Sequence, residues 1–364
     1  MLEFSVHGAP SEYRLCEGAL NYLENALLER NFHRVFIIHG EKSWKAIEPF
    51  WPDFQKVKCI QHQYRGECSL TEINRADELI KLSPIDAIIG IGGGKVLDLV
   101  KAVGHISRKP TVLIPTLASN CSSWTPISVI YDDEGSFLRF DIYPDSASLV
   151  LVEPRILLAA PKEWLIAGIG DTLAKWYEAD VRLAAIENKP VPLEISYFAA
   201  RKCKDTLINY SEAALDDVKI GRLSNEFIKV VETIIMYAGM VGGYGDEYGR
   251  IAGAHSIHNG LTTLRQTHQL LHGNKVAYGI LVQLIIEEKW EEINHLIPFY
   301  QSIGLPVCLE EMGIYLDSQI LQVAEKAAAP TESIHAMPQT INQQTVYLAM
   351  VKLESQLQAA LKLV

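Results

Sequence analysis

The stretch DAIIGIGGGKVLDLVKAVGHI, residues 86–106, constrains the fold more than any other part of the sequence. An apolar run precedes three consecutive glycines, Gly92, Gly93 and Gly94, and residues with helical periodicity follow them. Glycines let backbone N–H groups approach a phosphate, and the helix N-terminus adds partial positive charge. The alternative is a tight turn that binds nothing, because the spacing is not that of a GxGxxG motif. The stretch therefore predicts a βαβ unit and indicates a dinucleotide site.

The first 155 residues repeat this alternation of short apolar runs and amphipathic helical stretches, which is typical of a parallel sheet. After Thr116, two extended runs joined by a turn at residues 132–135 predict a hairpin. From Pro161 onward helical periodicity dominates. We therefore predict a Rossmann-like α/β domain over residues 1–157 and an all-helical domain over residues 158–364.

Composition and charge narrow the classes of function. The chain has 33 basic and 44 acidic side chains, a formal charge of −11, and no Lys/Arg run, so no nucleic-acid partner is expected. Neither a signal-peptide pattern nor a stretch of about 18 apolar residues occurs, so we expect a cytoplasmic protein without a membrane partner. The six cysteines lack CxxC pairing, which argues against a disulfide framework or a thiolate zinc site.

Four histidines lie close together in GAHSIHNGLTTLRQTHQLLHGNKVAYG: His255, His258, His268 and His272. Neutral imidazole binds divalent transition metals, and a catalytic zinc usually takes three protein ligands and leaves one position open. Each pair, 255/258 and 268/272, shares a helix face if its segment is helical. The alternative for each one is an ordinary packed or solvated histidine.

A carboxylate would complete such a metal site, and the segment AGIGDTLAKWYEA is its expected source. Asp171 follows Gly170 and begins an apolar helix in this prediction. The alternative at that position is a helix N-cap.

The second predicted strand ends in His39 and Gly40. A site that prefers NAD often carries an acid there for the ribose 2′-hydroxyl. Because no carboxylate stands at that place, a 2′-phosphate has room, and the pattern predicts either NADP(H) or NAD(H).

In order and spacing, several motifs together resemble the glycerol dehydrogenase branch of the iron-containing (group III) alcohol dehydrogenase family. They are GIGGGK.LD, PT.AS, SVIY.DEG, AGIGD.LA.WYEA, AH.IHNGLT, HG.KVA.G and ESIH.MP. The resemblance covers nearly the whole chain and implies a dehydroquinate-synthase-like fold of two domains. Within the branch, NCSSWTPISV, AGIGDTLAKWYEA and HGNKVAYGILVQ look most like hydroxycarboxylate dehydrogenases, which reduce 2-oxo acids with NADPH.

The resemblance also implies the site residues. The metal ligands are Asp171, His255 and His272. Classical iron-dependent members have a further histidine where this chain has Lys175, which favours a three-ligand zinc site, with Fe²⁺ or Ni²⁺ as alternatives. Besides His39, the implied dinucleotide-binding residues are Gly93, Gly94, Lys95, Val96, Asp98, Thr116, Ser119, Thr125, Ile127 and Tyr131.

Cys121 stands where glycerol dehydrogenases carry an aspartate that contacts the glycerol hydroxyls. A carboxylate there accepts hydrogen bonds from a polyol but repels an anionic substrate in a poorly solvated site. The residue therefore predicts a substrate that itself carries a carboxylate. Lys175, one helical turn after Asp171, is expected to pair with that carboxylate; the alternative is an ordinary salt-bridged or solvated lysine. His258 is expected to relay a proton or to line the nicotinamide pocket.

We therefore predict a metal-dependent NAD(P)(H) oxidoreductase that acts on a 2-oxo acid and 2-hydroxy acid pair and forms a homo-oligomer. The alternatives are a glycerol or 1,2-diol dehydrogenase, a dehydroquinate-synthase-like lyase, and a non-catalytic metal or nucleotide sensor. The lyase would need a basic cluster for a phosphate leaving group, and none surrounds the motifs.

Overall fold

The computed structural model describes residues 3–361, of which 358–361 are described for the backbone only. The chain forms two compact units. The sheet unit comprises His7–Pro161 and Asp217–Gly243, and the helical unit comprises residues 3–6, Lys162–Asp216 and the chain from Tyr244 onward.

The sheet unit is built on six parallel strands in the order β1-β8-β5-β4-β2-β3, beside a two-stranded antiparallel hairpin, β6-β7. The strands are β1 Tyr13–Leu15, β2 Arg34–His39, β3 Lys58–Gln63, β4 Ala87–Gly92, β5 Thr111–Pro115, β6 Ile127–Tyr131, β7 Phe137–Ile142 and β8 Leu149–Val152.

Helices account for most of the remaining described chain. They are α1 Leu23–Glu29, α2 Glu41–Ile47, α3 Leu70–Lys81, α4 Gly94–Ser107, α5 Pro154–Leu158, α6 Lys162–Leu183, α7 Val191–Ile220, α8 Asn225–Glu232, α9 Ala238–Gly245, α10 Glu247–Arg250, α11 Gly253–Leu261, α12 His272–Ile286, α13 Trp290–Ile303, α14 Asp317–Ala327 and α15 Gln343–Leu361. A π-helical segment, Thr233–Tyr237, joins α8 to α9.

The central strands are apolar throughout because both faces of a parallel sheet are covered. All residues of β4 and β8 are buried. The chain leaves β2 toward the edge strand β3, whereas β4 leads in the other direction to β5. Ligands of open α/β sheets bind at such a reversal, outside the carboxyl ends of the strands. The turns that follow His39 and Gly92 lie at this reversal, since the two strands are paired.

The predicted alternation of strands and helices is confirmed, as is the hairpin, whose turn runs from Asp132 to Gly135. The segment Asp217–Gly243 belongs to the sheet unit. It packs there closely, because a Cβ added to Gly239 would lie 2.4 Å from Cδ1 of the buried Trp124. The division into domains 1–157 and 158–364 stays a prediction.

Within the described residues, the helical run Asn225–Gly245 is long and apolar enough to cross a membrane by length and composition alone. Because 56% of its most apolar window is buried inside the protein, it has the character of a core helix. The cytoplasmic location and the absence of a membrane partner stay predictions.

Candidate metal centre and dinucleotide site

Asp171 lies in the middle of α6, which begins at Lys162. The interpretation of this carboxylate as a helix N-cap is therefore wrong, because the helical residues from Lys162 to Gly170 precede it. The side chain is buried. Lys175 and Glu178 follow at spacings of four and seven residues, which places all three on one face of α6.

His255 on α11 and His272 at the start of α12 meet Asp171, and the three potential ligand atoms lie within 4.8 Å of one another. Oδ1 of Asp171 is 3.4 Å from Nε2 of His255 and 3.2 Å from Nε2 of His272. Ligands that bind one zinc at about 2.0–2.1 Å in tetrahedral geometry lie about 3.3 Å apart. The donor set of two imidazoles and one carboxylate thus fits a divalent transition metal with a fourth position open.

Glu178 holds His255 in the orientation that this set requires. Its Oε1 accepts from the backbone N–H groups of Ala252 (2.7 Å) and His255 (2.9 Å). Its Oε2 lies 2.6 Å from Nδ1 of the His255 ring, so Nε2 is turned toward Asp171. A carboxylate behind a ligating histidine fixes the tautomer and raises the basicity of the ligand. The sequence reasoning missed this residue, although its spacing of seven from Asp171 in AGIGDTLAKWYEA was a usable signal.

The other two histidines differ in what they contact. Nε2 of His258 lies 2.9 Å from Nδ1 of His272, which leaves Nε2 of His272 for a metal. Burial and the neighbouring His272 hold the pKa of His258 well below its usual value, so this imidazole is neutral. His268 is exposed, and its Nε2 contacts the carbonyl oxygen of Thr262. The condition under which 268 and 272 would share a helix face is not met, because α12 begins only at His272, whereas 255 and 258 both lie on α11.

Charges around the three donors favour an ionised aspartate. Burial alone would raise the pKa of Asp171, but the positive charge of Lys175 and hydrogen bonds from His255 and His272 hold it well below its usual range. Burial would likewise lower the pKa of His255, but the Glu178 carboxylate and Asp171 raise it to about 9. The protein thus keeps positive charge beside Asp171, and a divalent cation can take over that role.

Glycines bring the three ligand-bearing helices into backbone contact. A Cβ added to Gly273 would lie 1.7 Å from the carbonyl oxygen of Ala167 on α6. One added to Gly279 would lie 2.4 Å from the carbonyl oxygen of Ala254 on α11. The N-terminal half of α12 therefore packs against both partners at distances that only glycine permits.

We expect Gly273→Ala to push α12 away from α6, because an added Cβ cannot share the position of the Ala167 carbonyl. The variant should lose stoichiometric metal and should melt at a lower temperature than the parent. Metal analysis and thermal unfolding measure both. A variant with full metal content and an unchanged melting temperature would contradict the assigned packing.

Glu178→Gln should weaken metal binding by about 10- to 100-fold, because an amide no longer fixes the His255 tautomer. Titration of the metal-free protein with Zn²⁺ in competition with a chelator measures this. Glu163→Gln, the same substitution at an exposed position of α6, is the matched control and should bind metal like the parent. Equal affinity of all three proteins would overturn the role given to Glu178.

The glycine turn of the sheet unit joins the buried strand β4 to the N-terminus of α4, and its binding of a phosphate stays a prediction. Gly93 is the N-cap of α4, which begins at Gly94. A Cβ added to Gly94 would lie 2.7 Å from the amide of Asn120, and one added to Gly92 would lie 2.7 Å from the buried Val96. A backbone without Cβ atoms at a helix N-terminus suits an anion.

A buried ion pair organises the segment that follows this turn. Oδ1 of Asp98 lies 2.9 Å from Nζ of Lys101 and accepts from Ser122 Oγ, while Oδ2 accepts from the backbone of Val129. Lys101 donates in turn to the carbonyl oxygens of Ser122, Thr125 and Ile127. Asp98 therefore positions hairpin residues from within, and its predicted contact with a dinucleotide stays a prediction. The sequence reasoning did not single out Lys101.

The remaining predicted dinucleotide residues surround the same turn or the end of β2. Lys95 pairs with Glu67 at 2.6 Å and lies 5.2 Å from the ring centroid of Tyr131. The backbone N–H of the buried Thr116 donates to the carbonyl of Gly92. His39 is buried, and its Nδ1 contacts the carbonyl oxygen of Gly40. Ser119 and Cys121 are half-buried.

Comparison with known proteins assigns the family. Residues 10–154 match the profile of iron-containing alcohol dehydrogenases. The chain is 39% identical over 351 residues to hydroxycarboxylate dehydrogenase A of Escherichia coli (strain K12), covering 95% of this chain and 96% of that protein. The chain belongs to the iron-containing alcohol dehydrogenase family. As a member it is a dehydrogenase that acts on CH–OH groups.

Other members of the family are similarly close. Glycerol dehydrogenase of Thermotoga maritima is 37% identical over 349 residues, which cover 94% of each chain. The crystal structure of a probable glycerol dehydrogenase from Sinorhizobium meliloti 1021 superposes with a TM-score of 0.86 at 29% identity, covering 97% of this chain and 99% of that one. The predicted family and fold class are therefore confirmed.

Proposed function

We propose that this dehydrogenase interconverts a 2-oxo acid and the corresponding 2-hydroxy acid, using a divalent metal and NADP(H) or NAD(H). The observation that carries the proposal is the donor set of Asp171, His255 and His272, with Glu178 hydrogen-bonded behind His255. We propose Zn²⁺ as the metal, because the set has three protein donors and the chain has Lys175 where a fourth, histidine ligand of iron-dependent members would stand.

A divalent metal bound there supplies Lewis-acid polarisation of a carbonyl oxygen, and a bound nicotinamide supplies or accepts the hydride. The protein contributes orientation and charge. Asp171 stays ionised, and Glu178 fixes the His255 ring through Nδ1. His258 is neutral and its Nε2 accepts a hydrogen bond from Nδ1–H of His272, so we assign it the positioning of the His272 ring with Nε2 available to a metal, and its part in proton relay stays a prediction.

Two residues support an anionic substrate. The positive charge of Lys175 is near enough to lower the pKa of Asp171, and a charge in that position pairs with a substrate carboxylate. Cys121 carries no carboxylate, whereas an aspartate at that position would repel such a substrate. A relative 39% identical is named hydroxycarboxylate dehydrogenase A, which agrees with this choice. Glycerol or a 1,2-diol is the second candidate, because the relative from Thermotoga maritima, at 37%, is named glycerol dehydrogenase.

A kinetic panel tests the function. The purified holoprotein is assayed with a series of 2-oxo acids, with glycerol and with 1,2-diols, each with both dinucleotides, and its metal content is measured on the same sample. We expect the highest kcat/KM with a 2-oxo acid. Asp171→Asn should lose both bound metal and turnover with every substrate. Full activity of a metal-free preparation would refute the metal assignment, and a clear preference for glycerol would select the second candidate.

Cys121→Asp sharpens the same test of specificity. The new carboxylate should lower kcat/KM for 2-oxo acids by at least about tenfold, through repulsion in a half-buried position, and should raise activity with glycerol. Cys121→Asn has the same shape without the charge and is the matched control, so it should keep the preference for 2-oxo acids. If both variants changed the substrate preference equally, charge at position 121 would not be its cause.

Gly40→Asp tests how the dinucleotide is chosen. Gly40 is the N-cap of α2, a position that accepts aspartate, and an added Cβ would approach the Tyr64 ring at 3.1 Å, so a small shift of that ring is needed. The carboxylate should lower kcat/KM for NADPH by at least about tenfold relative to NADH, through repulsion of the 2′-phosphate. Gly40→Asn is the uncharged control. The same change in both variants would mean that shape, and not charge, decides the preference.

A further inference from the structure

Strand β7 is an exposed strand with an apolar sequence. Its residues Phe137, Leu138, Phe140 and Ile142 are 58%, 49%, 46% and 40% exposed. Among the described residues, β7 pairs only with β6, so its outer edge carries main-chain groups without a ladder partner. An exposed apolar edge strand is prone to pair with another strand.

The other edge strands of the described chain differ from β7 in this respect. The outer strand β3 has the sequence KCIQHQ, which is largely polar and begins with a lysine. At the opposite edge of the parallel sheet, β1 is only three residues long and contains Arg14. Short edges and charged edge residues oppose pairing with other chains. Strand β7 combines length with apolar residues, so it is the edge that remains suited to pairing.

The direction of the main-chain groups of β7 follows from its partner strand. On β6, the N–H of Val129 donates to Asp98 Oδ2, and the carbonyl of Ile127 accepts from Lys101, so both residues direct these groups away from β7. Val129 lies opposite Phe140, and Ile127 lies opposite Ile142. Opposite residues of an antiparallel pair share this orientation, so the N–H and C=O groups of Phe140 and Ile142 point to the open edge.

The sequence of β7 is complementary to itself when a second copy runs antiparallel. In the register that places Phe140 opposite Phe140 of the copy, Leu138 lies opposite Ile142 and Arg139 lies opposite Asp141. The register therefore joins apolar with apolar residues and opposite charges with each other, on separate faces of the strands. It also places the outward-pointing main-chain groups of Phe140 opposite one another, as a hydrogen-bonded pair requires.

We propose that β7 is an interface between two copies of this chain, which join their hairpins edge to edge into one four-stranded antiparallel sheet about a two-fold axis at Phe140. Such an interface is isologous, because the same strand serves on both sides. The charges of Arg139 and Asp141 are then part of the recognition. Within each strand, Nε of Arg139 donates to Oδ1 of Asp141 at 2.8 Å. Across the proposed axis, Arg139 of one copy also faces Asp141 of the other.

The oligomeric mass of the full-length protein tests the proposal, measured by light scattering and by sedimentation over a range of concentrations. The parent should exceed the monomer mass. Phe140→Asp should halve the observed mass or raise the dissociation constant at least about tenfold, because it places two carboxylates opposite each other on the axis. Leu82→Asp, at a 78% exposed apolar position of the same unit, is the matched control and should leave the mass unchanged.

Exchanging the charges at positions 139 and 141 tests whether the two copies pair in this register. Arg139→Asp and Asp141→Arg should each weaken association, since each brings like charges together across the axis, and the double variant should restore it. Hydrogen exchange at the Phe140 and Ile142 amides should slow as concentration rises. A parent that is monomeric throughout, a mass unaffected by Phe140→Asp, or a double variant that fails to recover would each overturn the proposal. Circular dichroism on every variant verifies that the protein is folded.

Discussion

The candidate metal centre depends on the direct backbone contacts of α12 with α6 and α11. Gly273 and Gly279 lack the side chains that would hold the three helices apart. As a result, a carboxylate from α6 and two imidazoles from α11 and α12 come within the size of one metal coordination sphere. Close packing of this kind leaves little freedom to adjust, so the positions of the ligands are set by the helices and not by mobile loops.

The electrostatics of the centre depend on the same packing. Burial disfavours charge on Asp171 and His255, and the surrounding charges of Lys175 and Glu178 more than offset this. The charge alternates along one face of α6, negative at 171, positive at 175 and negative at 178, and this pattern agrees with the proposed metal and the proposed anionic substrate. In the sheet unit, the buried pair of Asp98 and Lys101 plays a comparable part by holding the main chain that follows the glycine turn.

Much of this was predictable from local patterns. The glycine turn and the strand and helix around it follow from residues adjacent in the chain, and the three metal ligands follow from motifs resembling a known family. Asp171 also illustrates where local interpretation is wrong, because the glycines before it suggest a helix start when tertiary contacts extend the helix back to Lys162. Glu178 and Lys101 were missed, since each acts on groups far away or outside its own motif, and only the folded chain brings those groups together.

The sequence by itself determined the parallel α/β and helical architecture, the glycine turn and the family, because periodicity, turn chemistry and ordered motifs are local properties of the chain. The tertiary structure alone decided that Asp171 lies within a helix, that Glu178 holds the ring of His255, and that β7 presents an open apolar edge. These features depend on residues that are distant in the chain, such as Glu178 and His255, 77 positions apart, and no local pattern encodes which distant groups meet.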